Sequence, residues 1–170
     1  MPVLWIIVVL AVALTIVRPA HAAPPPDSTG QFRDWFRSLR VPGSPYTMCC
    51  TIADCRMVDS RLNPTSKRYE AKVVRDKFRN ALQHSVLYEH DSKAFEAASR
   101  DWVNSWIRRF GNISEVWIEI PQEKINQIDN PTGHAVLCWS VWYSNFNGVF
   151  CFVPSPVAAN SYADIRQLYG

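Results

Sequence analysis

The sequence predicts an α+β fold: a small curved antiparallel sheet or partly open β-barrel of about five strands, with an N-terminal helix and an inserted helix, stapled by disulfides. Three observations predict it. Short segments with strand-like alternation fall in two groups, 56–75 and 115–153. A stretch of helical period separates them, at about 77–112. Five cysteines lie in one N-terminal cluster and at two C-terminal positions, behind what reads as an export signal.

Val3 to Val17 is an apolar run relieved only by Thr15, and Arg18-Pro19 ends it. Ala20-His21-Ala22 then places small residues first and third before a cut, so residues 1–22 read as a signal peptide cleaved at Ala22/Ala23. Its start is off pattern, because Met1 to Val3 carries no Lys or Arg. A membrane anchor needs about 20 apolar residues, more than this run offers, so no stable membrane span is expected after cleavage. Residues 23–30 are a Pro-rich tether, and 31–170 is read as a single domain.

Gln31 to Arg40 predicts a helix, since Phe32, Trp35, Phe36 and Leu39 fall at i, i+3, i+4 and i+7. Val41-Pro42-Gly43-Ser44-Pro45 breaks it, and the cysteine cluster is expected in the loop that follows. Arg56–Leu62 and Arg68–Arg75 read as strands around an Asn63-Pro64-Thr65-Ser66 turn. Lys77 to Gln83 is a weak helical stretch. Asp91 or Ser92 caps a stronger helix with the stripe Phe95, Ala98, Trp102, Trp106 and Phe110, stopped by Gly111-Asn112. Asn112-Ile113-Ser114 matches a glycosylation sequon, which matters only in a eukaryotic secretory pathway. Glu115 to Ile120 alternates as a strand, and Asn130-Pro131-Thr132-Gly133 is a tight turn. His134–Tyr143 and Gly148–Val153 form a hairpin over Ser144 to Asn147, with Asn147-Gly148 as its turn signal. Ser161 to Leu168 reads as a terminal helix.

The full chain has 18 basic and 15 acidic side chains. Arg18 is the only charged side chain in the expected signal, so 17 basic and 15 acidic remain after cleavage. The basic residues are scattered rather than striped, so no nucleic-acid partner is expected.

Export to an oxidising compartment favours disulfides. Vicinal Cys49 and Cys50 strain the peptide between them if they bond each other, so each C-terminal cysteine is expected to join one N-terminal one. The expected pairs are Cys50–Cys151 and Cys55–Cys138, with Cys49 left over. Each closes a loop of roughly 80 to 100 residues, worth about 4 to 5 kcal/mol.

The Cys-Cys-x4-Cys spacing is not the Cys-x-x-Cys of a thiol oxidoreductase. His84, Glu89, His90 and Asp91 lack metal-ligand spacing, so neither a metal nor a cofactor is expected. A nucleophilic enzyme has one candidate trio, Cys49 with His134 and Asp54, while Gly-x-Ser-x-Gly and phosphate-binding loops are absent. The last lead is aromatic. Trp139, Trp142 and Tyr143 crowd one hairpin, and opposite parity turns one of the two tryptophans outward unless the inserted helix covers it.

Four motifs occur in order: Cys49-Cys50-Thr51-Ile52-Ala53-Asp54-Cys55, Trp117 to Ile125 with its Pro-x-x-Lys-Ile ending, Asn130-Pro131-Thr132-Gly133-His134-Ala135, and Cys151-Phe152-Val153-Pro154. On these the chain resembles a family of small exported proteins of alphaproteobacteria. The resemblance covers about Gly43 to Pro154 and departs at Lys77 to Asn112, which is longer here. It implies a periplasmic or extracellular setting and carries no catalytic residue. The sequence is thus read as an exported, disulfide-stabilised, non-enzymatic domain that binds a protein or glycan partner. The alternative is a thiol-dependent hydrolase or redox enzyme using Cys49 with His134.

Overall fold

The computed structural model describes residues 30–80 and 92–156. The expected signal peptide, nearly all of the tether, His84 to Asp91 and the expected terminal helix lie outside the described residues.

Phe36 and Leu39 dictate the first helical turn, since both are fully buried. A 3-10 turn at Gly30–Phe32 leads into α1, Arg33–Ser38. The cysteine cluster, expected in a loop, instead winds into the single helical turn α2, Cys49–Ile52. The chain then enters β1, Asp54–Val58, and β2, Ser60–Leu62. One strand was expected here, and it breaks at Asp59 because β1 and β2 belong to different sheets. The Asp59 carbonyl still accepts a hydrogen bond from Lys72 N at 2.9 Å, so the backbone ladder runs through the corner.

At the next turn the Asn63 side chain accepts from Thr65 N and Ser66 N. β3, Tyr69–Val74, alternates buried and half-buried residues, with Tyr69, Ala71 and Val73 inward. The short helix α3, Arg75–Arg79, buries Phe78. The long helix α4, Ser92–Phe110, buries Trp102 and Trp106. Gly111, at φ 75°, returns its N–H to the Ile107 carbonyl at 2.9 Å and ends that helix. β4, Glu115–Glu119, a 3-10 turn at Gln122–Lys124, β5, Ala135–Trp139, and β6, Val149–Val153, complete the chain.

The strands form two antiparallel three-stranded sheets, ordered β1-β5-β6 and β2-β3-β4. The α+β class and the antiparallel pairing are those expected. The described strands number six rather than five, and the sheets do not close into a barrel.

Two hydrophobic layers result. One joins the inner face of β2-β3-β4, one face of β1-β5-β6 and α4 around Trp102, Trp106, Trp139, Tyr69 and Phe152. The Trp102 and Trp106 rings stack at 5.5 Å, and the Trp139 indole meets both edge-on. The other layer packs Phe36, Leu39 and the cysteines against the opposite face of β1-β5-β6. That sheet is covered on both sides, so β5 is buried at every residue and shows no alternation. The outer face of β2-β3-β4 is polar. There Arg61–Glu70 and Arg68–Glu119 pair at 2.6 Å, and Arg61 also lies 4.2 Å over the Trp117 ring. Among the described residues no helix is long and apolar enough to cross a membrane.

Candidate functional site

Strand register brings the cysteines together. Cys55 stands opposite Cys138, and Cys138 stands opposite Cys151, so three cysteines form one rung across β1-β5-β6. Cys55 and Cys138 form a disulfide, with Cα atoms 3.9 Å apart. Cys151 is then satisfied from above the sheet by Cys49 of α2, at a Cα separation of 6.0 Å. The expected Cys50–Cys151 bridge is therefore corrected to Cys49–Cys151, and Cys50 is the free thiol. The reason is helical phase. Within one turn of α2, neighbouring residues point about 100° apart, and the turn aims Cys49 at the sheet.

The Cys50 thiol points beside the bridges and donates to the Phe36 carbonyl at 3.5 Å. Its sulfur lies within 4.8 Å of both sulfurs of the Cys55–Cys138 bridge. The surrounding protein excludes enough water to push this thiol up to about 12, and the Asp54 carboxylate adds to the rise while Arg56 opposes it. Burial also raises Asp54 to about 6, again against Arg56. Cys50 and Asp54 each keep some accessible surface, yet protein packs most of their surroundings, and that packing governs the desolvation. A thiol in this state is protonated and a poor nucleophile at neutral pH.

The trio considered for catalysis is not assembled. Cys49 has no thiol to offer, being bridged and fully buried. His134 is exposed and precedes β5, four residues from the cysteine rung, roughly 13 Å along the strand. It lines a cavity of about 300 Å³ with Met57, Asp59, Lys72 and Lys77, beside the sheet corner. Asp54 pairs with Trp139, one position beyond the rung from His134. His84, Glu89, His90 and Asp91 lie outside the described residues.

The aromatic set divides. Trp139 is 1% exposed and its indole N–H is held by the Asn147 carbonyl at 2.8 Å, so it is core and not surface. β5 ends there, at a bulge between Cys138 and Trp139, rather than running on to Tyr143. The connection back to β6 is a broad tip that closes in a 3-10 turn at Asn145–Gly148. Trp142 and Tyr143 stand out from this tip, 45% and 52% exposed. They are nonetheless fixed. Trp142 Nε1 donates to Asp101 Oδ2 at 2.9 Å, and Arg109 Nη1 donates to the Tyr143 carbonyl at 2.6 Å, both from α4. The Tyr143 ring meets Phe150 edge-on at 4.9 Å.

Gly148 makes the tip possible. It sits at φ 76°, and a Cβ there would lie 2.4 Å from the Ser140 carbonyl oxygen. Sequence reasoning left Cys49 rather than Cys50 as the free thiol, because it placed the cluster in a loop and so had no helical phase with which to tell the two neighbours apart.

Comparison with known proteins gives no match to any family model, any curated protein or any solved structure.

Proposed function

We propose that this chain is an exported, non-enzymatic binding domain, held folded by two disulfides, that recognises a partner through the Trp142–Tyr143 tip. The two disulfides fit an oxidising, extracytoplasmic compartment. The signal-like N-terminus, and the resemblance of the four motifs to an exported alphaproteobacterial family, are the grounds for a periplasmic or secreted location. The observation that carries the binding reading is the tip itself: two large aromatics exposed side by side on a segment clamped by α4. A rigid aromatic surface lowers the ordering cost of binding. Two half-exposed aromatic rings on one fixed segment offer apolar area of the kind enriched at the centre of protein interfaces, which favours a partner protein over a glycan. No nucleic-acid partner and no cofactor belong to this reading.

The test compares the oxidised protein with a Trp142→Ala/Tyr143→Ala variant. Both are crosslinked to envelope extract and probed against a glycan array. The proposal expects a crosslinked protein that the variant loses while keeping its melting temperature. Glycan capture sensitive to the same substitutions makes the partner a sugar. A partner retained by the variant moves the interface elsewhere and defeats the tip as the binding surface.

A further inference from the structure

We propose that the corner where the chain passes from one sheet to the other binds a free α-amino acid with an apolar side chain. The site is independent of the aromatic tip. The corner exists because β1 and β2 serve different sheets and part at Asp59. Beside it lies the cavity of about 300 Å³, with Asp59, Lys72, Lys77 and His134 as its polar wall and Met57, Val58 and Val74 as its apolar one. That volume stands at the lower end of small-ligand cavities, about 300 to 1,000 Å³, so the ligand is a monomer rather than a peptide. Asp59, Lys77 and His134 are exposed, which leaves the cavity an open mouth.

Strand register gathers the polar wall. Val58 pairs with Ala135, so His134 is the next residue across from Asp59 on one side. Ser60 pairs with Ala71, so Lys72 is the next residue across on the other, and Lys72 N donates to the Asp59 carbonyl at 2.9 Å. Cross-strand neighbours of opposite charge ordinarily attract each other directly. Here they do not pair. Lys72 Nζ turns to Glu115 Oε2 at 3.0 Å, and the Asp59 carboxylate has no ion pair among the described residues. The Lys72 ammonium carries three N–H donors, so Glu115 fixes its place without exhausting it. Lys77 Nζ is held at the same wall by the Met57 carbonyl at 2.6 Å.

Charge of both signs therefore faces one space, and this selects the ligand. Asp59 repels a simple carboxylate or phosphate, and the two lysines repel a simple amine. A molecule with both charges on neighbouring atoms meets neither penalty. An α-amino acid is such a molecule. Its ammonium donates to Asp59, its carboxylate accepts from Lys72 in the field of Lys77 and beside the His134 ring, and its side chain lies on Met57, Val58 and Val74.

The experiment uses the oxidised full chain, labelled with ¹⁵N. The common L-α-amino acids are added one at a time and amide shifts are followed by NMR. At least one apolar member is expected to give saturable shifts at Met57 to Asp59, Lys72 to Lys77 and His134. Its N-acetyl form, which lacks the cation, and its amide, which lacks the anion, are each expected to bind at least about tenfold more weakly. Asp59→Asn is expected to weaken the amino acid about tenfold and leave the N-acetyl form no weaker, while Trp142→Ala/Tyr143→Ala binds as the wild type does. No saturable shift with any member up to millimolar concentration overturns the site. Shifts confined to other segments overturn its place, and an N-acetyl form or amide that binds as well as the amino acid overturns the ligand class. Should Asp59→Asn lower the melting temperature, the two derivatives on wild-type protein decide by themselves.

Discussion

Removing the bridges one at a time tests how this fold is held. The Cys55–Cys138 bridge spans 83 residues and the Cys49–Cys151 bridge 102. In the chain-entropy model each alone restricts the unfolded chain by about 4.5 to 4.7 kcal/mol. The two are not independent, because they join the same segments of chain. With one formed, the other closes a ring built only from 49–55 and 138–151, on the order of 20 residues, worth about 3.3 kcal/mol. Together they are worth about 8 kcal/mol, less than the 9 or so of two independent bridges. Set against an ordinary domain stability of about 5 to 15 kcal/mol, that loss takes the lower part of the range below the folding margin and removes at least half of the rest. The assay is urea denaturation at pH 7 on Cys50→Ala protein, with Cys49→Ala/Cys151→Ala or Cys55→Ala/Cys138→Ala added in turn. Each protein is measured oxidised and reduced, so that the packing change of the substitution cancels. The expected oxidised-minus-reduced differences are about 4.7 kcal/mol for the longer bridge alone, about 4.5 for the shorter, and about 8 for both. A difference below about 2 kcal/mol for either bridge alone, or full additivity of the two, refutes the reasoning.

Further outcomes follow from particular residues. Gly148→Ala should destabilise by about 2 kcal/mol or more, since the added carbon meets the Ser140 carbonyl in a left-handed conformation; a change under about 0.5 kcal/mol in denaturant midpoint would show that the tip relaxes freely. Trp139→Ala should cost about 3 to 5 kcal/mol and Trp142→Ala under about 1, because one ring is core and the other is half exposed; equal losses on thermal melting would contradict the division. The Cys50 thiol should resist a thiol-specific reagent at pH 8 in the native protein and react at once in denaturant, because burial pushes it up to about 12; native labelling at a free-cysteine rate would refute its burial. Glu70 is held below the usual carboxylate range by hydrogen bonds from Asn63 and Arg61. Its contribution is present above the unfolded value near 4.5 and is lost as pH falls through the lower folded value. Glu70→Gln should therefore lower the melting temperature at pH 6 and leave it unchanged at the acid end, and a pH-independent effect would count against the linkage.

Much of the fold was legible because it depends on short-range rules. The Phe95 to Phe110 stripe follows from helical period, and α4 buries its tryptophans against the sheets. The Asn63 turn follows from a side chain that bonds its own backbone, and Asn147-Gly148 from two residues that tolerate positive φ. The break at Asp59 was not legible, because 56–62 has strand character throughout and only packing decides that its two ends serve different sheets. The extent of β5 was misread for a related reason: a bulge at Cys138/Trp139 ends the ladder where the residue pattern continues.

The sequence by itself led to the expectation that the N-terminal cysteine cluster joins the C-terminal hairpin, because vicinal Cys49 and Cys50 disfavour bonding each other and two cysteines remain near the C-terminal end of the chain. Only the tertiary structure decided which of Cys49 and Cys50 makes the bond. The two are identical in type and adjacent in chain, so composition and spacing cannot separate them. One helical turn, seated on the sheet by Phe36 and Leu39, rotates Cys49 onto Cys151 and leaves the Cys50 sulfur beside the other bridge.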